Sequence, residues 1–186
     1  DFNRVIETQH HDPHQILGLH NVGGKRVIRL WRPGATEIYL ELKGEMVKAN
    51  RIQRAGLFEL EVSQDTSFAD YKVYHNSGLL AHDPYAFLPT IGEVDQYLFG
   101  KGTHYEIYKV MGARPFTQQG VEGVRFTVWA PAAKRVSLIA DFNHYDGRVN
   151  PMRSLGSSGI WELFVPGLKV GEKYKFEIKT QEDGLR

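Results

Sequence analysis

The chain has 186 residues, of which 41% are hydrophobic and 24% charged, with a net charge of +1; that length admits one or two domains with a proper core. So balanced a charge gives no field that would gather nucleic acid, an anionic membrane or an acidic substrate, and it points to a neutral partner. The lack of cysteine excludes disulfides, thiolate metal sites and cysteine nucleophiles and fits a reducing compartment, and no apolar run reaches the roughly 18 residues of a membrane span.

In chain order, Asp1-Phe2-Asn3 does not look like a signal peptide, and Arg4 to Gln9 reads as a short helix. His10, His11, Asp12, His14 and His20 then crowd into eleven positions. They raise the question of a metal. The stretch offers no helical pairing of histidines and no cysteine to complete a zinc tetrahedron. Pro13 favours an extended or turned Asp12, so the stretch reads as a lead-in to the first strands, with no metal expected.

From Val27 onward the chain contains a repeat. Val27-Ile28-Arg29-Leu30-Trp31-Arg32-Pro33-Gly34-Ala35 returns as Arg125-Phe126-Thr127-Val128-Trp129-Ala130-Pro131-Ala132-Ala133, 98 positions later (31 to 129). Gly56 to Val62 returns as Gly159 to Val165, and Tyr71-Lys72-Val73-Tyr74 as Tyr174-Lys175-Phe176-Glu177, both 103 positions later (56 to 159, 71 to 174). Two copies of one unit with a five-residue difference in a loop account for this.

Within each copy apolar residues alternate with polar ones: Phe58, Leu60 and Val62; Trp161, Leu163 and Val165; Tyr174, Phe176 and Ile178. Period two with one charged face marks half-buried antiparallel strands. Turn signals separate them at Pro33-Gly34, Asn50, Ala55-Gly56, Asn76-Ser77-Gly78, Asp146-Gly147, Gly156 to Gly159 and Asp183-Gly184. The expected fold is all-β, with two immunoglobulin-like antiparallel sandwiches in tandem and little helix. The expected division is a sandwich over 1–99, a glycine-bearing linker over 100–123 and a second sandwich over 124–186. A second short helix is expected over Ile91 to Phe99.

Several stretches together are similar to bacterial glycogen branching enzymes (1,4-α-glucan branching enzymes). They are Asp12-Pro13 with Leu17-Gly18-Leu19-His20, then His82-Asp83-Pro84-Tyr85-Ala86-Phe87, then Gly102-Thr103-His104 with Tyr108 and Met111-Gly112-Ala113. Trp129-Ala130-Pro131, Asp141-Phe142-Asn143-His144-Tyr145-Asp146-Gly147-Arg148 and Pro151-Met152-Arg153 come next, in the family's order. The resemblance spans essentially the whole chain. It implies an extra N-terminal sandwich followed by a carbohydrate-binding module of family 48, from a cytoplasmic enzyme.

The full-length parent would then cut an α-1,4-glucan chain and re-attach it through an α-1,6 bond. Retention requires two carboxyl groups about 5–5.5 Å apart, held in this family on a (β/α)₈ barrel of about 250 residues. Two sandwiches leave no room for that barrel, so this piece is expected to be inactive, with no catalytic residue and no cofactor. The second copy stops before the counterpart of His82 to Phe87, as in a truncated chain. Two alternatives share the modules: a debranching enzyme of the α-amylase superfamily, and a glycan-binding protein complete in itself.

Neutral sugars present C–H faces and hydroxyls, so a site needs a flat aromatic beside donors and acceptors. The loop 141–147 offers one, with Tyr145 expected to stand exposed beside Asn143 and Asp146 and Gly147 permitting a tight turn. The resemblance implies a stacking role for Tyr145, where the family usually carries Trp, and a bond to sugar hydroxyls from Lys175. A second family aromatic would fall near Gln181 to Arg186, where none occurs. Trp161 and Phe142 are expected in the core, and Trp31 and Trp129, equivalent in the two copies, in structural or inter-domain packing. Copy one has Lys43-Gly44-Glu45 in place of the loop. A Tyr covering ~100 Å² of sugar gains about 2.5 kcal/mol, and bonds to neutral partners about 1 kcal/mol each, against association costs of several. The expected partners are α-1,4-glucan, held at a millimolar Kd or weaker, and the barrel of the same polypeptide.

Overall fold

The computed structural model describes residues 2–74 and 79–180. The turns expected at Asn76-Ser77-Gly78 and Asp183-Gly184, and the stretch Gln181 to Arg186, lie outside the described residues. Among the described residues helix is confined to α1 (Phe2–Ile6) and α2 (Glu93–Gly100) besides single 3-10 turns. Among the described residues no helix is long and apolar enough to cross a membrane.

The first unit contains β1 (Gly18–Val22), β2 (Lys25–Trp31), β3 (Tyr39–Leu42), β4 (Glu45–Lys48), β5 (Asn50–Gln53), β6 (Leu57–Val62), β7 (Tyr71–Tyr74) and β8 (Leu80–Ala81). They form two antiparallel sheets, ordered β1-β2-β6-β5 and β4-β3-β7-β8. Alternation sends Ile28, Leu30, Leu40, Phe58, Tyr71 and Val73 inward to one core. Asn50, expected in a turn, opens β5 instead. The chain from Arg32 bends past Ala55-Gly56, where Gly56 (φ 119°) lies so close to the Arg32 carbonyl that a Cβ would collide with it.

The second unit contains β9 (Gly112–Gln118), β10 (Val121–Trp129), β11 (Ala133–Ala140), β12 (Arg153–Ser154), β13 (Ile160–Pro166) and β14 (Tyr174–Thr180). Its sheets run β12-β13-β10-β9 and β11-β14. Residues 150–152 also bond along β11, through Leu138 N–H to the Asn150 carbonyl (3.0 Å) and Met152 N–H to the Val136 carbonyl (2.9 Å). The fold is therefore all-β, two immunoglobulin-like sandwiches. The repeat extends to register: Leu30 faces Phe58 as Val128 faces Trp161, and Leu40 faces Val73 as Leu138 faces Phe176.

The segment 100–123 corrects one expectation. It is no plain linker, because β9 within it pairs with β10 along its whole length. Its glycines and Pro115 read as loop, yet an edge strand tolerates proline since one side of it needs no ladder bond.

The two sandwiches share a core. Trp31 and Leu57, on the outward face of their sheet, cluster with Phe126, Leu138, Met152 and Trp161 of the second unit. Polar contacts cross the same seam. Tyr85 Oη donates to the Pro151 carbonyl (3.0 Å), and Ser154 N–H to the His11 carbonyl (2.8 Å). Buried Glu162 accepts from Thr90 N–H (3.0 Å) and lies 3.5 Å from the Arg153 guanidinium.

The histidines serve this packing. His10 Nδ1 accepts from Asp12 N–H (3.1 Å), and Asp12 accepts from His14 N–H (3.2 Å) to cap a 3-10 turn begun by Pro13. His14 is buried edge-on to Tyr85, with ring centroids 4.9 Å apart. His20 Nε2 pairs with the Leu17 carbonyl at 2.8 Å. Trp161 is buried, its indole N–H donating to the Ala130 carbonyl (3.1 Å).

Candidate functional site

The loop that leaves β11 at Ala140 and returns to it at Asn150 is built around one buried side chain. Asn143 Oδ1 accepts from Ala140 N–H (2.8 Å), and its Nδ2 donates to the Leu138 carbonyl (2.8 Å) and to Asn150 Oδ1 (2.9 Å). These bonds tie the start of the loop to its end. They also use both amide N–H donors and one acceptor position of Oδ1. Asn143 is thus corrected from a ligand contact to the loop's internal clasp: a short amide beside unpaired backbone bonds to that backbone first.

The tip carries backbone strain. His144 and Tyr145 both adopt left-handed conformations, φ 56° and 55°, which side-chain-bearing residues rarely hold in succession. Tyr145 N–H donates to the Ala140 carbonyl (3.0 Å), fixing where its ring begins. Tyr145 is 40% exposed, and Phe142, three residues earlier in the same loop, is 38% exposed. Phe142 is a correction, since it stands outside the core. It belongs to a 3-10 turn, Asp141–Asn143, whose one buried side chain is that of Asn143. Partial desolvation and the neighbouring Asp141 carboxylate hold the Tyr145 hydroxyl above the ordinary phenol range.

Asp146 is engaged by Arg148. It accepts from Arg148 N–H (2.9 Å), Nε (2.9 Å) and the terminal guanidinium (2.6 Å). Those bonds lower its carboxyl below the usual aspartate range despite some desolvation. Asp146 is therefore a brace of the turn, and that corrects the expectation that it stands free for a sugar. Gly147 lies in a turn as expected, closed by Val149 N–H donating to the Asp146 carbonyl (3.1 Å). It is needed for closeness: a Cβ there would run into the Glu177 carboxylate. Beneath it, buried Arg135 donates to the Gly147 carbonyl (2.7 Å) and to Ser137 Oγ (3.0 Å) and pairs with Glu177. The loop thus lies flat on the outer face of β11 and β14.

Lys175 is exposed on β14, opposite Ile139 and one residue from Tyr174, whose partner Ala140 bonds the Tyr145 amide. The register brings Tyr145 and Lys175 to one end of the β11–β14 sheet. Phe142 is the residue that sequence reasoning missed; no local pattern distinguishes an outward aromatic in a single 3-10 turn from a buried one. Trp31 and Trp129 part company. Trp31 is 2% exposed and donates from Nε1 to the Arg148 carbonyl (2.7 Å), inside the same loop. Trp129 is 57% exposed beside Phe99, ring centroids 6.0 Å apart. Equivalent positions differ because the second sandwich covers the first copy's tryptophan.

Two family profiles match the chain. Residues 1–88 match the alpha-1,4-glucan branching enzyme GlgB, N-terminal domain, and residues 110–186 match carbohydrate-binding module 48, the isoamylase N-terminal domain. Curated relatives called 1,4-alpha-glucan branching enzyme GlgB include that of Protochlamydia amoebophila, 63% identical over 96% of this chain and 25% of the relative. That of Chlamydia pneumoniae is 50% identical over 100% of this chain and 26% of the relative. Among solved structures, pullulanase type I from Bacillus subtilis complexed with maltose is 18% identical, with a TM-score of 0.32 over 87% of this chain and 22% of that one. That likeness is too low to bear on the assignment. The chain spans about a quarter of the length of the curated relatives it matches. Its two sandwiches belong to the N-terminal region of the bacterial glycogen branching enzyme family, the N-terminal domain followed by a carbohydrate-binding module 48.

Proposed function

We propose that this chain is the substrate-holding and positioning part of a cytoplasmic 1,4-α-glucan branching enzyme, whose catalytic barrel forms α-1,6 branches. The observation that carries the reading is the clasped loop, with Tyr145 strained outward above a buried Asn143. A stacking platform that is already rigid loses little entropy on binding. Tyr145 supplies the flat face, Phe142 adds apolar area beside it, and Lys175 donates to sugar hydroxyls. The second functional unit is taken to begin at Gly112, with β9 included. Chemistry on the glucan belongs to a carboxylate pair outside this chain. With one tyrosine stacked and a few neutral bonds made, affinity stays near a millimolar Kd, about −4.1 kcal/mol. Electrophoresis of the 186-residue chain through native gels containing glycogen tests this. Retardation that disappears in Tyr145→Ala supports the reading; equal mobility with and without glycogen contradicts it.

A further inference from the structure

Among the described residues the repeat leaves one sheet face without the loop that covers its counterpart. In the second copy the loop 141–149 lies over the outer face of β11 and β14, where Ser137 and Glu177 are cross-strand partners and Gly147 presses on Glu177. In the first copy β3 and β4 are joined by a two-residue turn at Lys43 and Gly44, both with positive φ (51° and 89°). Nothing in that turn reaches over the sheet. The repeat places Tyr39 at the position of Ser137 (98 apart, 39 to 137) and Tyr74 at that of Glu177 (103 apart, 74 to 177).

The β3–β7 ladder ends at Leu40 and Val73, both buried, and the strand alternation puts Tyr39 and Tyr74, one residue beyond each, on the outer face. Adjacent strands lie about 4.8 Å apart. Lys48 flanks Tyr39 on β4 and Leu80 flanks Tyr74 on β8, so one row runs Lys48, Tyr39, Tyr74, Leu80. The two rings are 37% and 41% exposed. Tyr39 Oη donates to Glu37 (3.3 Å), whose carboxylate also holds the Lys48 ammonium, so this ring is braced. On this face Glu37 pairs with Lys48, and Glu41 holds the strand position opposite Lys72, so the two signs are equally represented. A face with two half-exposed aromatics and equal numbers of both charges suits a neutral, hydroxyl-rich ligand with apolar ring faces better than a charged one.

We propose that this outer face, centred on Tyr39 and Tyr74, is a second α-1,4-glucan binding site, on the sandwich that lacks the platform loop. The proposal rests on the reading of the chain as a glucan holder but uses none of the Tyr145 site. Two weak sites on one chain would also let a single glucan long enough to span them engage both, raising avidity without new contacts.

The test is amide NMR of the labelled chain titrated with maltoheptaose, in the wild type, in Tyr145→Ala and in Tyr39→Ala/Tyr74→Ala. Expected are saturable shifts around Tyr39, Tyr74 and Lys48 that persist in Tyr145→Ala and weaken more than tenfold in the double variant. Tyr39→Phe/Tyr74→Phe keeps the ring faces and should retain the shifts, which separates binding from folding should the alanine pair unfold. Shifts confined to the Tyr145 loop would overturn this inference and leave the first reading standing. Shifts confined to the Tyr39–Tyr74 face would do the reverse, and none at either face would overturn both.

Discussion

The Trp31 indole donates to the Arg148 carbonyl at 2.7 Å, so the first sandwich grips the loop that displays Tyr145 on the second. Arg148 in turn braces Asp146. The loop is thereby built by one module and steadied by the other. Trp31→Phe keeps most of the apolar volume and removes the bond, and it should cost about 1–2 kcal/mol by leaving a part-buried carbonyl without its donor. Urea denaturation measures that loss, and maltoheptaose should bind the variant more weakly although no sugar contact has changed.

Asn143 and Asp146 sit three residues apart and should differ sharply. Asn143→Ala strips partners from the Ala140 amide and Leu138 carbonyl in a buried setting, so it should destabilise by about 3 kcal/mol. Asp146→Ala breaks a pair whose arginine side is largely exposed, worth less than about 1 kcal/mol. Thermal unfolding of the two variants should rank them in that order; equal losses would mean the loop is not clasped through Asn143.

Gly147→Ala drives a methyl group against the Glu177 carboxylate, which is held by Arg135 and cannot easily step aside. The expected cost is about 1–3 kcal/mol, with the largest amide shift changes along residues 135–137 and 175–179. A neutral effect on stability would show that the loop stands off the sheet.

His14 makes stability depend on pH. Burial above all, helped by the Arg153 cation, holds its imidazole well below the ordinary value of 6.5. The folded state therefore prefers neutral His14, so its contribution is intact above pH 6.5 and is lost as pH falls below that value toward the depressed folded pKa. The slope reaches about 1.4 kcal/mol per pH unit. Denaturation curves between pH 7 and 5 should show that slope reduced in His14→Leu. Some slope should remain, because burial also lowers His10 and His82.

The repeat was readable because alternation and the Trp-x-Pro corner are local signals that survive in both copies, and the register of Leu40 with Val73 and Leu138 with Phe176 follows from them. Tyr145 was readable too, since Asp-Gly after an aromatic marks an exposed turn. What escaped depends on neighbours remote in the chain. Trp129 stands open and Trp31 closed only because one sandwich docks on the other. Strand β9 forms from a glycine- and proline-bearing segment because β10 offers it a free edge. Asn143 looked available for a sugar, and only the approach of the Leu138 carbonyl and Asn150 shows that its amide N–H donors are already spent.

Titration of the chain with maltoheptaose, followed by amide NMR in the wild type, Tyr145→Ala and Lys175→Ala, tests most directly whether the clasped loop holds glucan. A glucan-holding loop predicts saturable shifts at Phe142, Tyr145 and Lys175 with a Kd near a millimolar, abolished by Tyr145→Ala and weakened severalfold by Lys175→Ala. Shifts around this loop that are undiminished in Tyr145→Ala, or no shifts there at ~10 mM sugar, roughly tenfold above that Kd, would contradict it.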